Sequence, residues 1–175
     1  MDNEQLKDCM RRYRDGDETA FDAMFEDLKT PVFTVARRLT QQRETAEDVL
    51  QDVFVKLYRD PPDPERIRNP RAYIFQMAHN LALNTLRDSH TESAAEMNEN
   101  IGRADGAIDR MLTDMELQTA FAALDFDEKE IVTLHIHGDL KFREIADILR
   151  KPLGTVLWKY RRALRKLHDT LGAPS

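Results

Sequence analysis

Five cations fall within eight residues near the C-terminus, in the stretch Lys159-Tyr-Arg-Arg-Ala-Leu-Arg-Lys166, and no carboxylate interrupts them. Guanidinium groups bind phosphate oxygens and, in bidentate fashion, the O6/N7 edge of guanine. On a helix turning about 100° per residue, Trp158, Arg161, Arg162 and Arg165 fall on one side, with Lys159 and Lys166 at its edge. Val156, Tyr160, Ala163, Leu164, Leu167 and Leu171 fall on the other. A solvated face is the ordinary fate of helical charge, but such faces usually mix the two signs. A face of one sign carrying an indole fits contact with duplex DNA.

The elements that must present this face are legible around it. Ile145, Ala146 and Leu149 recur at helical spacing, which predicts a helix over 142–149. Pro152 breaks it. Thr155 is read as the N-cap of a second helix running to Leu171. Two helices joined by a turn of this length form a helix-turn-helix unit. Upstream, a helix is expected over 129–137, capped by the Asp125–Glu128 segment and ended by Gly138. Another is expected over 111–124, with Leu112, Met115, Leu117, Ala120, Phe121 and Leu124 inward.

The N-terminal half holds two further candidate faces. Helix is expected within 4–28, interrupted at Asp15-Gly16-Asp17, and again from Pro31 to Leu39 with proline in its first turn. Residues 45–60 form the next helix, with Thr45 as its cap. Its inward side is Ala46, Val49, Leu50, Val53, Phe54 and Leu57. Asp48, Gln51, Asp52, Val55 and Arg59 lie opposite. A valine among acids and an amide is out of place on a solvated face, and a protein partner would explain it. The prolines of 61–70 forbid continuous helix, and Arg66, Arg68 and Arg71 gather around that loop. A helix over 71–88 then carries Tyr73, Gln76, Met77, Asn80, Asn84 and Arg87 as a polar stripe. Amides and an aromatic beside arginines can stack on and read single-stranded bases. A solvated stripe, with Asn80 bonded inside the fold, is the competing reading.

Composition bounds the whole. The chain has 175 residues, 41% hydrophobic and 33% charged, with a net charge of −6. Long segments of helical period, absent strand alternation and scarce glycine and proline place it in the all-α class. The charge is uneven. Residues 141–168 hold nine Lys/Arg against two Asp/Glu, whereas residues 89–140 hold three against twelve. That asymmetry places a nucleic-acid surface at one end, with acidic surface available to shield it. The segment 89–111 is polar and acidic and reads as a flexible linker between two small helical domains, 1–88 and 112–175. The single cysteine, Cys9, excludes an internal disulfide and a cysteine metal cluster. No nucleophile motif, phosphate-cradling glycine loop or metal-ligand cluster is present, so neither a catalytic residue nor a cofactor is expected. His135 and His137 lie two apart and do not share a helix face. The polar N-terminus and the lack of a long apolar run predict a cytoplasmic protein without membrane insertion.

Two blocks taken together resemble a known family. AEDVLQDVFVKLY, NPRAYIFQMAHNLALNTLRD, a polar linker and REIADILRKPLGTVLWKYRRALRKL are similar, in this order and spacing, to bacterial RNA polymerase sigma factors of the sigma-70 family. The small extracytoplasmic-function (ECF) class fits best. The resemblance covers nearly the whole chain and implies a non-enzymatic initiation factor without a small-molecule substrate. Asp48, Gln51, Asp52 and Val55 would dock on the clamp coiled coil of the largest polymerase subunit, with the flap region as a second contact. Arg66, Arg68, Asn69, Arg71, Tyr73, Gln76, Asn80, Asn84 and Arg87 would hold the opened −10 element. Thr155, Trp158, Lys159, Arg161, Arg162, Arg165 and Lys166 would meet the −35 element. An anti-sigma factor is a further expected partner. Two positions depart from the family pattern. Arg150-Lys151 stands where glycine is common, at a turn that calls for positive φ, and Trp158 stands where a small polar residue is common. A stand-alone helix-turn-helix regulator, binding duplex DNA without polymerase, is the alternative reading.

Overall fold

The computed structural model describes residues 1–92 and 108–172. Among these residues eight α-helices and no strands occur: α1 Asn3–Arg14, α2 Glu18–Thr40, α3 Arg43–Arg59, α4 Pro70–Glu92, α5 Ile108–Ala122, α6 Phe126–Ile136, α7 Phe142–Leu149 and α8 Leu153–Leu171. The all-α expectation holds. α4 runs on to Glu92 and α5 begins at Ile108, so both ends of the 89–111 segment are helical and its middle lies outside the described residues.

Local chemistry accounts for most of the boundaries. Asp2 and Gln5 form a reciprocal capping box at the start of α1, each accepting the other's backbone N–H at 2.8 Å. Gly16 takes φ +98 in the turn that follows, and Asp17 caps α2 by accepting from the Thr19 amide at 3.1 Å. Two expected starts are wrong. Pro31 lies inside α2 rather than opening a helix. The burial of Leu28, Val32 and Val35 around it offsets the amide that proline lacks. α3 begins at Arg43, ahead of Thr45, whose hydroxyl bonds the Gln42 side chain instead of capping.

α2 packs against α1, α3 and α4, and α8 against α5, α6 and α7. The two halves also meet each other, α2 on α6 and α4 on α7. Leu6, Leu28, Phe54 and Phe75 from the first half share one apolar cluster with Ile131, Leu134, Ile145 and Val156 from the second. A smaller cluster of Leu124, Val132 and Ala163 lies under α8. Cys9 is buried, and burial pushes its thiol up. Met115, Leu117, Leu164 and Leu171, read as inward from helical period, are exposed instead, and so is Ile136.

Polar links fasten the two halves. His79 Nε2–H donates to Glu130 Oε1 at 2.7 Å where both side chains are buried. Arg71 Nε donates to the Gly138 carbonyl at 2.7 Å, and the Asn69 amide donates to Glu144. Gly138 has no room for a side chain, since a Cβ there would sit 2.5 Å from the Leu134 carbonyl oxygen.

His137 lies near this seam. Burial, with the Arg38 cation adding to it, pushes its imidazolium below the ordinary value of 6.5. The unfolded chain therefore takes up a proton near pH 6.5 that the folded chain resists. Stability present above that pH is lost as pH falls through the lower folded value. Urea midpoints should drop between pH 7.5 and 5.5, and His137→Gln should flatten the slope. An unchanged slope in the variant would show that other groups set it.

Candidate nucleic-acid interface

α7 and α8 form the helix-turn-helix. Glu144 accepts the Lys141 amide at 2.8 Å at the start of α7. The turn needs one left-handed residue, and Arg150 supplies it at φ +53, in the place where the family pattern prefers glycine. The amides of Arg150 and Lys151 close back on the carbonyls of Asp147 (3.3 Å) and Ala146 (3.0 Å). α8 starts at Leu153 behind Pro152, so Thr155 sits within its first turn and does not cap it. Val156 and Ala163 anchor the inner face, and Tyr160 packs against His135 and Phe142 at ring separations of 5.0 and 4.8 Å. His135 is itself fixed by donating from Nδ1 to the Leu140 carbonyl at 2.8 Å.

The cationic band is divided between two tasks. Trp158, Arg161 and Arg165 face solvent. Lys159, Arg162 and Lys166 turn back onto the acidic start of α6. Lys159 Nζ lies 2.8 Å from Asp127, which also takes Lys151 at 3.1 Å. Lys166 Nζ donates to Glu128 Oε2 at 2.8 Å. Arg162 Nε lies 3.2 Å from Glu128 Oε1 and its NH1 3.9 Å from Asp125. That Glu128 oxygen has no well-aligned hydrogen bond, so the Arg162 contact is ionic rather than directional. Glu128 is fully buried and completes the cap of α6 by accepting the Asp125 amide at 2.9 Å. Hydrogen bonds from Lys159 and Lys151 hold the Asp127 carboxyl below its usual range, and Asp127 raises Lys159 in turn.

The other candidate residues gather around α3 and α4. Arg66 and Arg68 are exposed at the loop, Arg66 lying 3.5 Å from Asp63. Both polar atoms of Asn69 are engaged, since its Oδ1 caps the Ala72 amide at 2.9 Å while its Nδ2 donates to Glu144. Arg71 is committed to Gly138 and also lies 5.4 Å over the Phe75 ring. Tyr73, Gln76, Met77 and Asn80 line a cavity of about 520 Å³ whose opposite wall is Val55, Lys56, Arg59 and Asp60. Asn80 is exposed there, against the reading that buried it. Asn84 and Arg87 continue the stripe and bond each other. On α3, Asp48, Gln51, Asp52 and Val55 are all exposed on one side. This exposed side of α3 therefore adjoins the cavity through Val55.

Sequence reasoning missed the His79–Glu130 pair, and it foresaw acidic surface shielding the basic helix without identifying Asp125, Asp127 and Glu128 as that surface. The signals were present: His79 sits one turn from Phe75 on an apolar face, and Asp125, Asp127 and Glu128 are adjacent. Among the described residues no group of three metal-ligating side chains converges, and no helix is long and apolar enough to cross a membrane.

The fold and these faces define a two-part helical protein with a helix-turn-helix for duplex DNA and a second, cavity-bearing polar face on α3 and α4. Comparison with known proteins narrows this. Residues 24–91 match the pattern of sigma-70 region 2 and residues 114–167 that of sigma-70 region 4. The chain belongs to the sigma-70 family, and its similarities fall in the ECF class. It is 23% identical to the ECF RNA polymerase sigma factor SigK of Mycobacterium ulcerans, over 98% of this chain and 96% of the relative. Identity to SigK of Mycobacterium tuberculosis H37Rv is 22%, over 95% and 93%. CnrH, solved with the cytosolic domain of CnrY, superposes with TM-score 0.70 at 22% identity, over 98% of this chain and 99% of CnrH. Bartonella quintana RpoE, solved with the anti-sigma factor NepR, gives 0.73 at 20% identity, over 89% and 98%.

Proposed function

We propose that this chain is a transcription initiation factor that binds core RNA polymerase and directs it to promoters carrying −10 and −35 elements. The observation that carries this reading is the presence of both sigma-70 regions, in order, on one chain. Residues 1–88 serve as the polymerase-docking and −10 domain, 89–111 as the linker, and 112–175 as the −35 domain. Asp48, Gln51, Asp52 and Val55 meet the clamp coiled coil, and the flap region receives the C-terminal domain. The cavity beside Tyr73, Gln76 and Asn80 has the size and chemistry to take an unstacked base, with Arg66, Arg68, Asn84 and Arg87 along the strand. Asn69 and Arg71 are tied to Glu144 and Gly138, so their use on the −10 strand requires the two halves to part. The factor works without catalysis and where the polymerase is, in the cytoplasm. An anti-sigma factor is its natural antagonist in this reading, since the structural neighbour RpoE of Bartonella quintana was solved with the anti-sigma factor NepR. A stand-alone helix-turn-helix regulator leaves the α3 face and the cavity without a use.

The docking face has a direct test. D48K/D52K, two exposed reversals, should weaken pull-down of core polymerase by roughly tenfold or more, with thermal stability within about 0.5 kcal/mol of the parent chain. Unchanged core binding would remove α3 from the interface.

A further inference from the structure

We infer that Trp158 is a specificity-determining residue that reads a thymine 5-methyl group in the −35 duplex, and that Arg162 and Glu128 are the positioning residues that hold its indole. This rests on the reading of α8 as the −35 helix. Trp158 lies in the N-terminal part of α8, the part of a recognition helix that approaches base edges. Its side chain is 53% exposed on the side shared with Arg161 and Arg165. The Arg162 guanidinium lies 5.3 Å from the centre of its ring. Arg162 is in turn braced 3.2 Å from Glu128 Oε1, and Glu128 is fixed by its bonds to Lys166 and the Asp125 amide. A side chain stacked on a braced guanidinium loses little freedom on binding.

The chemistry selects the base. In the major groove only thymine presents an apolar group, its C5-methyl, and an indole is an apolar plate edged by one donor. Arg161 and Arg165, beside it, suit guanine O6/N7. The assembled face therefore fits a thymine next to guanine. It also separates Arg162 from its neighbours. Arg162 spends its charge on α6 carboxylates, so it should not count as a phosphate-neutralising cation.

The test uses the full chain assembled with core polymerase, on a promoter selected by that holoenzyme from a library with a randomised −35 region. Each −35 thymine is replaced in turn by uracil, which removes only the methyl. The parent protein should lose about four- to tenfold in affinity at one position. W158A should bind thymine and uracil there equally. R162A should reduce the thymine preference while leaving the slope of log K against log salt unchanged, whereas R161A should flatten that slope by about one. A flat uracil scan in the parent chain, or a preserved thymine preference in W158A, overturns the inference. A salt slope reduced by R162A overturns the positioning role. Indifference of the parent holoenzyme to every base change in the −35 region would instead overturn the reading of α8 itself.

Discussion

R161E/R165E is expected to cut −35-dependent transcription by on the order of 100-fold or more while leaving the fold and polymerase binding intact. Both arginines are exposed on α8, and among the described residues neither lies within ion-pairing distance of a carboxylate. Their charge is therefore available to DNA, unlike that of Lys159, Arg162 and Lys166. A bidentate arginine–guanine contact is worth about 1–3 kcal/mol, and reversal adds repulsion from the phosphates. Exposed positions outside the core cost only about 0.5 kcal/mol of stability when changed. Run-off assays on a promoter with a strong −35 element, beside thermal melts and core pull-down, separate the two effects. Transcription within a few-fold of the parent would remove α8 from −35 recognition.

E128A should destabilise the C-terminal half by about 2–3 kcal/mol, the sum of a lost helix cap and a broken buried charge contact. Glu128 is fully buried, caps Asp125, and faces both Lys166 and Arg162. The loss stays below that of a wholly buried pair because the Lys166 and Arg162 side chains are 30% and 40% exposed and can turn to water. For a chain of 175 residues this lowers the melting midpoint by roughly 5–10 °C. E128Q keeps the acceptor for the Asp125 amide and should lose about half as much. Equal midpoints for E128A and the parent would show that the α6–α8 ion pairs contribute nothing net.

These two variants mark the border of what the sequence makes legible. Helical period located α7, α8 and their turn, because burial of Ile145, Val156 and Ala163 enforces that period. The positive-φ need at Arg150 was readable from the missing glycine, and the Asp125–Glu128 cap from residue types alone. Caps assigned to Thr45 and Thr155 failed because a hydroxyl near a helix start is only one of several ways to begin it. Pro31 misled because its cost is local while the burial that offsets it comes from other helices. The cations lie along α8 as the sequence spaced them, but which of them the acidic surface shields was not readable. Periodicity gives the angle of a side chain about its own axis, not which neighbouring helix brings a carboxylate to meet it. The His79–Glu130 link and the ties of Asn69 and Arg71 escaped for the same reason, since each joins residues more than 50 positions apart.

Promoter-dependent RNA synthesis with purified core polymerase tests the central claim most directly. Core alone, this chain alone and the two combined are compared on a template carrying a promoter chosen by the combination. Abundant transcripts from one defined start site only in the combined reaction, lost when either the −10 or the −35 element is scrambled, are the result expected. Tight sequence-specific binding of the chain to a palindromic duplex without core, together with no gain in initiation when core is added, would contradict it.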